Sequence, residues 1–257
     1  MSDVNFERQD GNSELWGTIF GPGGHPALTT MHRRYKFMPA KPRCRLCRVP
    51  FGSVGGWLMG KRGKAPCKRN PHFCSACDQF IDANPGGAEV EMSVLYVDIR
   101  NSVRTAAAAE TAAVARRVNQ FLSTATGIIT DNDGFIMAFY GDCVVAVWPP
   151  GFAGPDHRQK AVRAARALSA AFSADSAIPS GTGVHSGPVY ICTVEAGEGM
   201  FRDMSIFGHT VNVTARLASE APPGKALATD AVAGHLGAEF TAQTLKGIDA
   251  PVMAATI

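Results

Sequence analysis

The sequence predicts an α+β protein, a mixed sheet covered by helices, preceded by a small cysteine-rich module. From residue 92 onward, short apolar runs typical of strands alternate with stretches whose apolar residues recur at helical spacing. Residues 41–80 hold five of the seven cysteines, four of them in two CxxC pairs. The 257 residues suffice for one large domain or two small ones. We expect a flexible tail over 1–40 that includes a short helix at 28–38, the cysteine-rich module over 41–80, a linker over 81–91 and the α+β domain over 92–257.

The composition is that of an ordinary soluble globule. Hydrophobic residues make up 46% of the chain and charged residues 18%. No apolar run reaches the length of a membrane span, and the N-terminus lacks the apolar core of a signal peptide. We therefore expect a cytoplasmic protein without a membrane span.

The net charge of +3 conceals an uneven distribution of charge. Twelve of the 25 Lys and Arg lie in residues 31–70, which contain no Asp or Glu, so thirteen remain elsewhere against 22 acidic residues. A basic N-terminal module thus precedes an acidic body. This distribution has three possible explanations: the two halves attract each other, the module is simply solvated, or the module binds nucleic acid or an anionic membrane. Sparse aromatic interleaving and the lack of a nucleic-acid fold signature argue against nucleic acid.

The two CxxC pairs predict a metal site. The pairs are Cys44 with Cys47 and Cys74 with Cys77, and Cys67 and His72 lie between them as spare candidate ligands. Each pair lets one loop chelate an ion with two thiolates, so two pairs complete a tetrahedral sulfur site. Zn²⁺ is the common occupant of such pairs, and an iron–sulfur cluster also takes four cysteines. Spacing alone leaves both open.

The elements of the larger domain follow one another at short intervals. Their boundaries are set by Gly, Pro and polar turns and by the change from strand to helical periodicity. In order, we expect a strand at 92–98, a helix near 103–125, two strands over 134–148, a helix at 157–174, strand, Gly-Pro turn and strand over 181–195, a helix at 209–220, and short strands with a helix over 225–257.

Two of these strands are expected to bring carboxylates together. The first predicted strand ends in Asp98 and passes through a polar turn into a helix, which offers an acidic ligand beside free backbone N–H groups. The tight turn of Gly141 and Asp142 between the next two strands can place a second carboxylate beside it. Paired Asp oxygens with a phosphate cradle suit Mg²⁺ carrying a nucleoside triphosphate.

At these residues the sequence resembles the class III nucleotidyl cyclases. Residues 98–102 (DIRNS) look like the family's Asp-Ile-x-Gly-Phe/Ser-Thr signature, and residues 140–142 (YGD) look like its second metal aspartate. Residues 207–217 (FGHTVNVTARL) are similar to its Gly-x-x-Val-Asn-x-x-x-Arg helix, and residues 245–247 (LKG) to its late Lys-Gly turn. The resemblance implies a ferredoxin-like catalytic core that dimerises head to tail, with active sites at the dimer interface.

The resemblance also implies an activity: ATP becomes 3′,5′-cyclic AMP and pyrophosphate with two Mg²⁺ or Mn²⁺ ions per active site. Asp98, Ile99 and Asp142 would hold the metal ions. From the partner chain of a homodimer, Asn212 would orient the ribose and Arg216 would meet charge on the α-phosphate. The implied nucleotide-binding residues are Asn101, Ser102, Val103, Ala138, Ser205, Lys225 and Lys246.

Several positions depart from the family pattern, among them Asn101 in place of a glycine and Val103 in place of a threonine. Adenylate-specific members place a Lys four residues before the second metal Asp, where this chain has Ala138, which cannot donate to adenine. The second position that reads the purine in the family, usually Asp or Thr, is Ser205 here. Its hydroxyl resembles the pattern of adenylate-specific members. His209 stands where many bacterial members have Asp. We expect ATP to be the substrate. The alternative is a cyclase of low activity, or one that accepts both ATP and GTP.

Alternative functions remain open. A redox-sensing module suits a position ahead of a signalling enzyme, which slightly favours an iron–sulfur cluster at Cys44, Cys47, Cys74 and Cys77 that regulates cyclase activity. A second hypothesis is a sensor or partner-binding protein that keeps the cyclase fold and has lost catalysis. A third is a zinc-stapled nucleic-acid binder that uses residues 31–77.

Overall fold

The computed structural model describes residues 11–36, 38, 42–100, 110–197 and 201–257. The chain divides into two compact units. The first contains the described residues up to Val90 together with Pro150–Gly154 and Tyr190–Ile206, and the second contains Glu91–Pro149, Pro155–Val189 and Phe207–Ile257. The division therefore differs from a simple cut at the expected linker, because two later segments join the N-terminal unit.

Residues 11–36 form structure where we expected mostly a flexible tail. Helix α1 spans Ser13–Phe20 and helix α2 spans Pro26–Lys36. Trp16 is fully buried. Its ring stacks on Phe20, with 5.9 Å between the ring centroids, and packs edge-on against Phe80 at 6.0 Å. Its Nε1 donates to the Asn84 carbonyl at 3.0 Å. The expected loose tail was wrong for Ser13–Phe20, because a stripe with Trp16, Ile19 and Phe20 at helical spacing outweighs the nearby glycines, whereas α2 agrees with the short helix expected at 28–38.

The cysteine-rich segment is built from short helices and loops. Helix α3 spans Ser53–Met59 and continues into a π-helical turn at Gly60–Lys64, and helix α4 spans Ser75–Ala83. The first strand begins at Gly87, so most of the expected linker 81–91 is the end of a helix and the start of a strand. Gly86, with a φ of 139°, makes the turn between them.

Eight strands of the described residues form one sheet. The strands are β1 Gly87–Ile99, β2 Phe135–Tyr140, β3 Cys143–Trp148, β4 Ser180–Ala196, β5 Phe201–Phe207, β6 Lys225–Thr229, β7 Thr241–Gln243 and β8 Val252–Thr256. Their order in the sheet is β2-β3-β1-β4-β6-β8-β7, and β5 pairs with β4. The β4–β6 pair is parallel, whereas β1–β3, β2–β3, β6–β8 and β7–β8 are antiparallel, which confirms a mixed sheet.

The helices of the later part of the chain bury apolar faces, as their periodicity predicted. The long ones contribute Phe121 and Ile129, Ala161 and Leu168, and Val213 and Leu217 to the core. No described helix combines the length and apolar character needed to cross a membrane. These helices are α5 Thr111–Asp131, α6 Pro150–Ala153, α7 His157–Ala171, α8 His209–Glu220 and α9 Asp230–Ala233, with a 3₁₀ turn at Gly234–Leu236.

The expected turn at Gly187-Pro188 does not form, because β4 runs unbroken from Ser180 to Ala196. Gly187 has a packing role instead. A Cβ atom there would lie 2.6 Å from the Thr210 hydroxyl oxygen, and that hydroxyl donates to the Pro188 carbonyl at 2.8 Å. The glycine thus marks the close approach of helix α8 to the strand.

Candidate functional site

The structure places Asp98 and Asp142 at the same end of two paired strands. Strands β1 and β3 are antiparallel, and their register sets Asp98 opposite Cys143. Asp142 directly precedes Cys143, in the tight turn after β2, where Gly141 adopts a φ of 63°. Ile99, the last residue of β1, is buried beneath the site. The sequence therefore predicted correctly that these two carboxylates meet.

The electrostatics of this pair fit a bound cation. Burial raises the pKa of Asp98, and the nearby charge of Asp142 raises it further. The buried Asp142 Oδ2 has no hydrogen-bond partner among the described residues. Burial, with the two carboxylates, also raises the pKa of the Cys143 thiol to about 12, so it stays protonated. Two carboxylates that repel each other, one with an unpaired buried oxygen, suit a hard divalent cation.

The side chain of Arg100 is part of this site, although we predicted no role for that side chain from the sequence. Its backbone N–H donates to the Pro179 carbonyl at 2.8 Å, and its guanidinium donates to the Ser219 carbonyl at 3.1 Å. The guanidinium occupies the space where Gly181 lacks a side chain. Its positive charge opposes the rise in the pKa of Asp98. A basic residue directly after the Asp-Ile pair was the signal available in the sequence.

Helix α8 presents Asn212 and Arg216 on one exposed face. They are four residues apart, whereas Val213 and Leu217 are buried on the adjacent side of the helix. The helix lies close against β4 because Gly183 has no side chain: a Cβ atom there would overlap the backbone of Thr214 and Ala218. The exposed pair is thus held on a helix whose position is fixed by backbone contact.

The remaining candidate residues lie on several elements. Lys225 is exposed at the start of β6, and Lys246 is exposed in a turn next to Gly247, whose φ is 76°. Ala138 is half-buried in β2 opposite Val145, beside an irregularity in the pairing. Ser205 is half-buried in β5. The expected phosphate-cradle residues Asn101, Ser102 and Val103 lie outside the described residues.

The four cysteines of the CxxC pairs form one buried cluster. The sulfur atoms of Cys44, Cys47, Cys74 and Cys77 all lie within 4.8 Å of one another, and the Cys47 and Cys74 sulfurs are 3.7 Å apart. Cys67 and His72, the spare candidates, are not among the four. The arrangement fits a bound metal ion, since four buried thiols have converged on one point.

Local backbone structure produces the cluster. The Cys44 N–H donates to the Val49 carbonyl, and Arg48 takes a φ of 64° just after the first pair, so the loop folds back on itself. Cys74 occupies the N-cap position of α4, and its N–H donates to the Cys44 sulfur at 3.3 Å. The hydrogen bond between Cys44 and Cys74 lowers the pKa of the Cys74 thiol. A separate hydrogen bond between Cys44 and Cys77 raises the pKa of the Cys77 thiol. All four residues can be thiolates in one buried site only when a cation offsets their repulsion.

The fold and the paired carboxylates define a class III nucleotide cyclase domain, and comparison with known families agrees. The chain belongs to the family described as the adenylate and guanylate cyclase catalytic domain, whose model matches residues 88–251. The resemblance seen in the sequence is therefore confirmed. Domains of this family bind nucleotide, use divalent metals and commonly dimerise.

Among relatives, an uncharacterized protein of Mycobacterium tuberculosis is 27% identical over 177 residues, which is 65% of this chain and 32% of that protein. Adenylate cyclase 1 of Rhizobium meliloti is 24% identical over 136 residues, 49% of this chain and 20% of that protein. The chain thus spans a third or less of the length of these relatives.

Solved structures show the same fold. The guanylate cyclase domain of RhGC from Catenaria anguillulae, in complex with GTP, has a TM-score of 0.57 at 19% identity, covering 65% of this chain and 94% of that one. The adenylyl cyclase CyaB from P. aeruginosa has a TM-score of 0.58 at 20% identity, covering 66% and 94%.

Proposed function

We propose that this protein is an adenylate cyclase that converts ATP to 3′,5′-cyclic AMP and pyrophosphate at the interface of a homodimer. The observation that carries the proposal is the pair Asp98 and Asp142, which meet at one strand end with an unpaired buried oxygen on Asp142. In the reaction the ribose 3′-oxygen bonds to the α-phosphorus, the bond from that phosphorus to pyrophosphate breaks, and the hydroxyl proton leaves to solvent.

Each residue of the site would act by positioning or by charge. Asp98 and Asp142, with the carbonyl of Ile99, would hold two divalent cations. When bound, Mg²⁺ or Mn²⁺ lowers the pKa of the attacking hydroxyl and neutralises the triphosphate. Arg100 would keep the end of β1 in place through its bonds to Pro179 and Ser219.

The exposed polar residues would meet the nucleotide. Asn212, supplied by the second chain, would orient the ribose, and Arg216 would stabilise charge on the α-phosphate. Lys225 and Lys246, both exposed, would contact the terminal phosphates. With Asn101, Ser102 and Val103 these residues complete the set that the family resemblance assigns.

The choice of ATP over GTP rests on Ser205 and on similarity to the Rhizobium adenylate cyclase. Ala138 offers no donor to the purine, so recognition would depend on the Ser205 hydroxyl and on shape. The structural neighbours include both an adenylyl cyclase and a guanylate cyclase domain with GTP. As the alternative, we propose a cyclase that accepts both ATP and GTP.

The cysteine cluster would hold a regulatory metal. Its four sulfur atoms lie within 4.8 Å of one another, and those of Cys47 and Cys74 are 3.7 Å apart. Four thiolates would suit Zn²⁺ or an iron–sulfur cluster, so the slight preference for iron–sulfur stays a prediction.

The cluster is positioned to influence β5. Asn70 donates to the Arg202 carbonyl at 3.0 Å, Arg45 lies 3.6 Å from the Asp203 carboxylate, and Arg202 also pairs with Asp82 on α4. These contacts connect the cysteine-rich segment to the strand that carries Ser205. Loss of the metal would therefore disturb a strand that we assign to nucleotide recognition.

Turnover by anaerobically purified protein tests the proposal. ATP and GTP are supplied separately with Mn²⁺ or Mg²⁺, cyclic nucleotide is detected by mass, and Asp98→Asn is the matched inactive control. Cyclic AMP from ATP that disappears in the variant is the expected result. No cyclic product from either nucleotide, in a metal-loaded dimer, would support instead a sensor that has lost catalysis, which Ala138 and His209 favour.

A further inference from the structure

Helix α3 carries an exposed apolar stripe in the middle of the basic segment. Val54 is 79% exposed, Trp57 62% and Leu58 39%, at positions i, i+3 and i+4 of one helix face. These are three of the seven large hydrophobic side chains that are exposed in the described part of the chain. Their concentration on two helical turns makes a patch rather than scattered surface residues.

The stripe is fixed in its outward orientation. Met59 is buried on the opposite face. Rotation of the helix to hide Trp57 would expose Met59. The apolar face is therefore built to remain exposed in the isolated chain.

Basic residues lie directly beside the stripe. The Lys61 ammonium sits 3.8 Å from the centroid of the Trp57 ring, one turn further along the same face. Arg62 is exposed next to it, and Lys64 ends the turn. The sequence segment that contains them, residues 31–70, has twelve Lys and Arg and no acidic residue, and of these Arg45 and Arg69 pair with acidic residues from outside the segment. The patch thus combines apolar side chains with charge of a single sign.

We propose that helix α3 and the turn after it dock on the surface of an anionic lipid bilayer. Trp57, Val54 and Leu58 would enter the headgroup region, where aromatic and aliphatic side chains are favoured, and Lys61 and Arg62 would meet lipid phosphates and carboxylates. A protein partner presents a mosaic of both charges, whereas a bilayer rich in acidic lipid is uniformly negative. The absence of any Asp or Glu in residues 31–70 matches the bilayer.

The test uses the metal-loaded full chain and vesicles of phosphatidylcholine with or without phosphatidylserine. Trp57 reports insertion, because Trp16 and Trp148 are fully buried. We expect a blue shift of tryptophan emission and co-sedimentation with the phosphatidylserine vesicles, both weakened by added salt. Lys61→Gln/Arg62→Gln should weaken binding about 30-fold, from about 1 kcal/mol for each basic residue near the surface.

Control variants separate this proposal from its rivals. Arg163→Gln/Arg166→Gln removes the same charge from exposed positions of α7 and should bind vesicles like the wild type. Val54→Ser/Trp57→Ser should lose co-sedimentation. Equal binding to both vesicle types, binding to neither, or an equal loss in the control would overturn the proposal. Dissociation of a dimer by Val54→Ser/Trp57→Ser, without vesicle binding in the wild type, would identify the stripe as a protein interface.

Discussion

Gly183→Ala should lower cyclase turnover, although Gly183 is not among the residues proposed to contact the nucleotide. Gly183 lies in β4 beneath helix α8, the helix that carries Asn212 and Arg216. A Cβ atom at this position would lie 2.9 Å from the Leu217 carbonyl carbon and closer still to backbone atoms of Thr214 and Ala218. Backbone atoms of a packed helix cannot rotate out of the way as a side chain tip can, so the helix itself must move.

The size of that movement follows from the contacts. Ordinary van der Waals contact begins near 3.4 Å, so the Leu217 carbon alone requires a shift of half an ångström and the two nearer atoms require more. We expect the helix to retreat by about 1 Å, a misplacement that can lower turnover by about 10²-fold. Overpacking should reduce the free energy of unfolding by about 1–3 kcal/mol.

Steady-state production of cyclic nucleotide, measured beside thermal unfolding, checks this prediction. Gly127→Ala is the matched control: Gly127 lies in α5 with nothing within 4 Å of an added Cβ, so the variant should keep its turnover and gain about 0.5–1 kcal/mol. A folded Gly183→Ala protein with wild-type turnover would refute the argument that the helix position controls Asn212 and Arg216.

Three further predictions follow from the described contacts. Asp142→Asn should lower turnover by about 10³-fold, since a bound metal contributes several kcal/mol to the transition state, with little change in melting temperature; cyclic nucleotide assays and calorimetry check both. Trp16→Ala should destabilise the N-terminal unit by about 3–5 kcal/mol, measured by denaturant unfolding, and a change below 1 kcal/mol would mean that α1 is dispensable. Chelation should remove metal from the four-cysteine cluster and lower the melting temperature; loss of one metal equivalent without such a change would contradict a structural role.

The sequence was most informative where local pattern and chemistry coincide. An apolar run that ends in Asp98 and a Gly-Asp turn are short-range signals, and antiparallel pairing of β1 with β3 brings them together. The CxxC spacing likewise predicted the cluster, because each pair needs only a local loop. The roles of Asn212, Arg216 and the lysines stay predictions, since they depend on a nucleotide and a second chain.

The sequence was least informative where tertiary packing decides. Gly187 followed by Pro188 is a turn signal by local rules, yet the glycine serves the approach of Thr210 and the strand continues. Trp16 lies beside a glycine-rich stretch, and its burial depends on Phe80 and Asn84, more than sixty residues away. The role of the Arg100 side chain was not predicted for the same reason, because its hydrogen-bond partners Pro179 and Ser219 are distant in the sequence.

The proposed regulation by the cysteine cluster would act first on the start of strand β1. It begins at Gly87, a few residues after the helix that carries Cys77, and ends at Asp98 and Ile99. The Gly86 N–H donates to the Thr193 hydroxyl at 2.9 Å, which anchors the start of β1 to β4. A metal-dependent change near Cys77 would therefore act first on the start of β1 and, through the bond of Gly86 to Thr193, on β4.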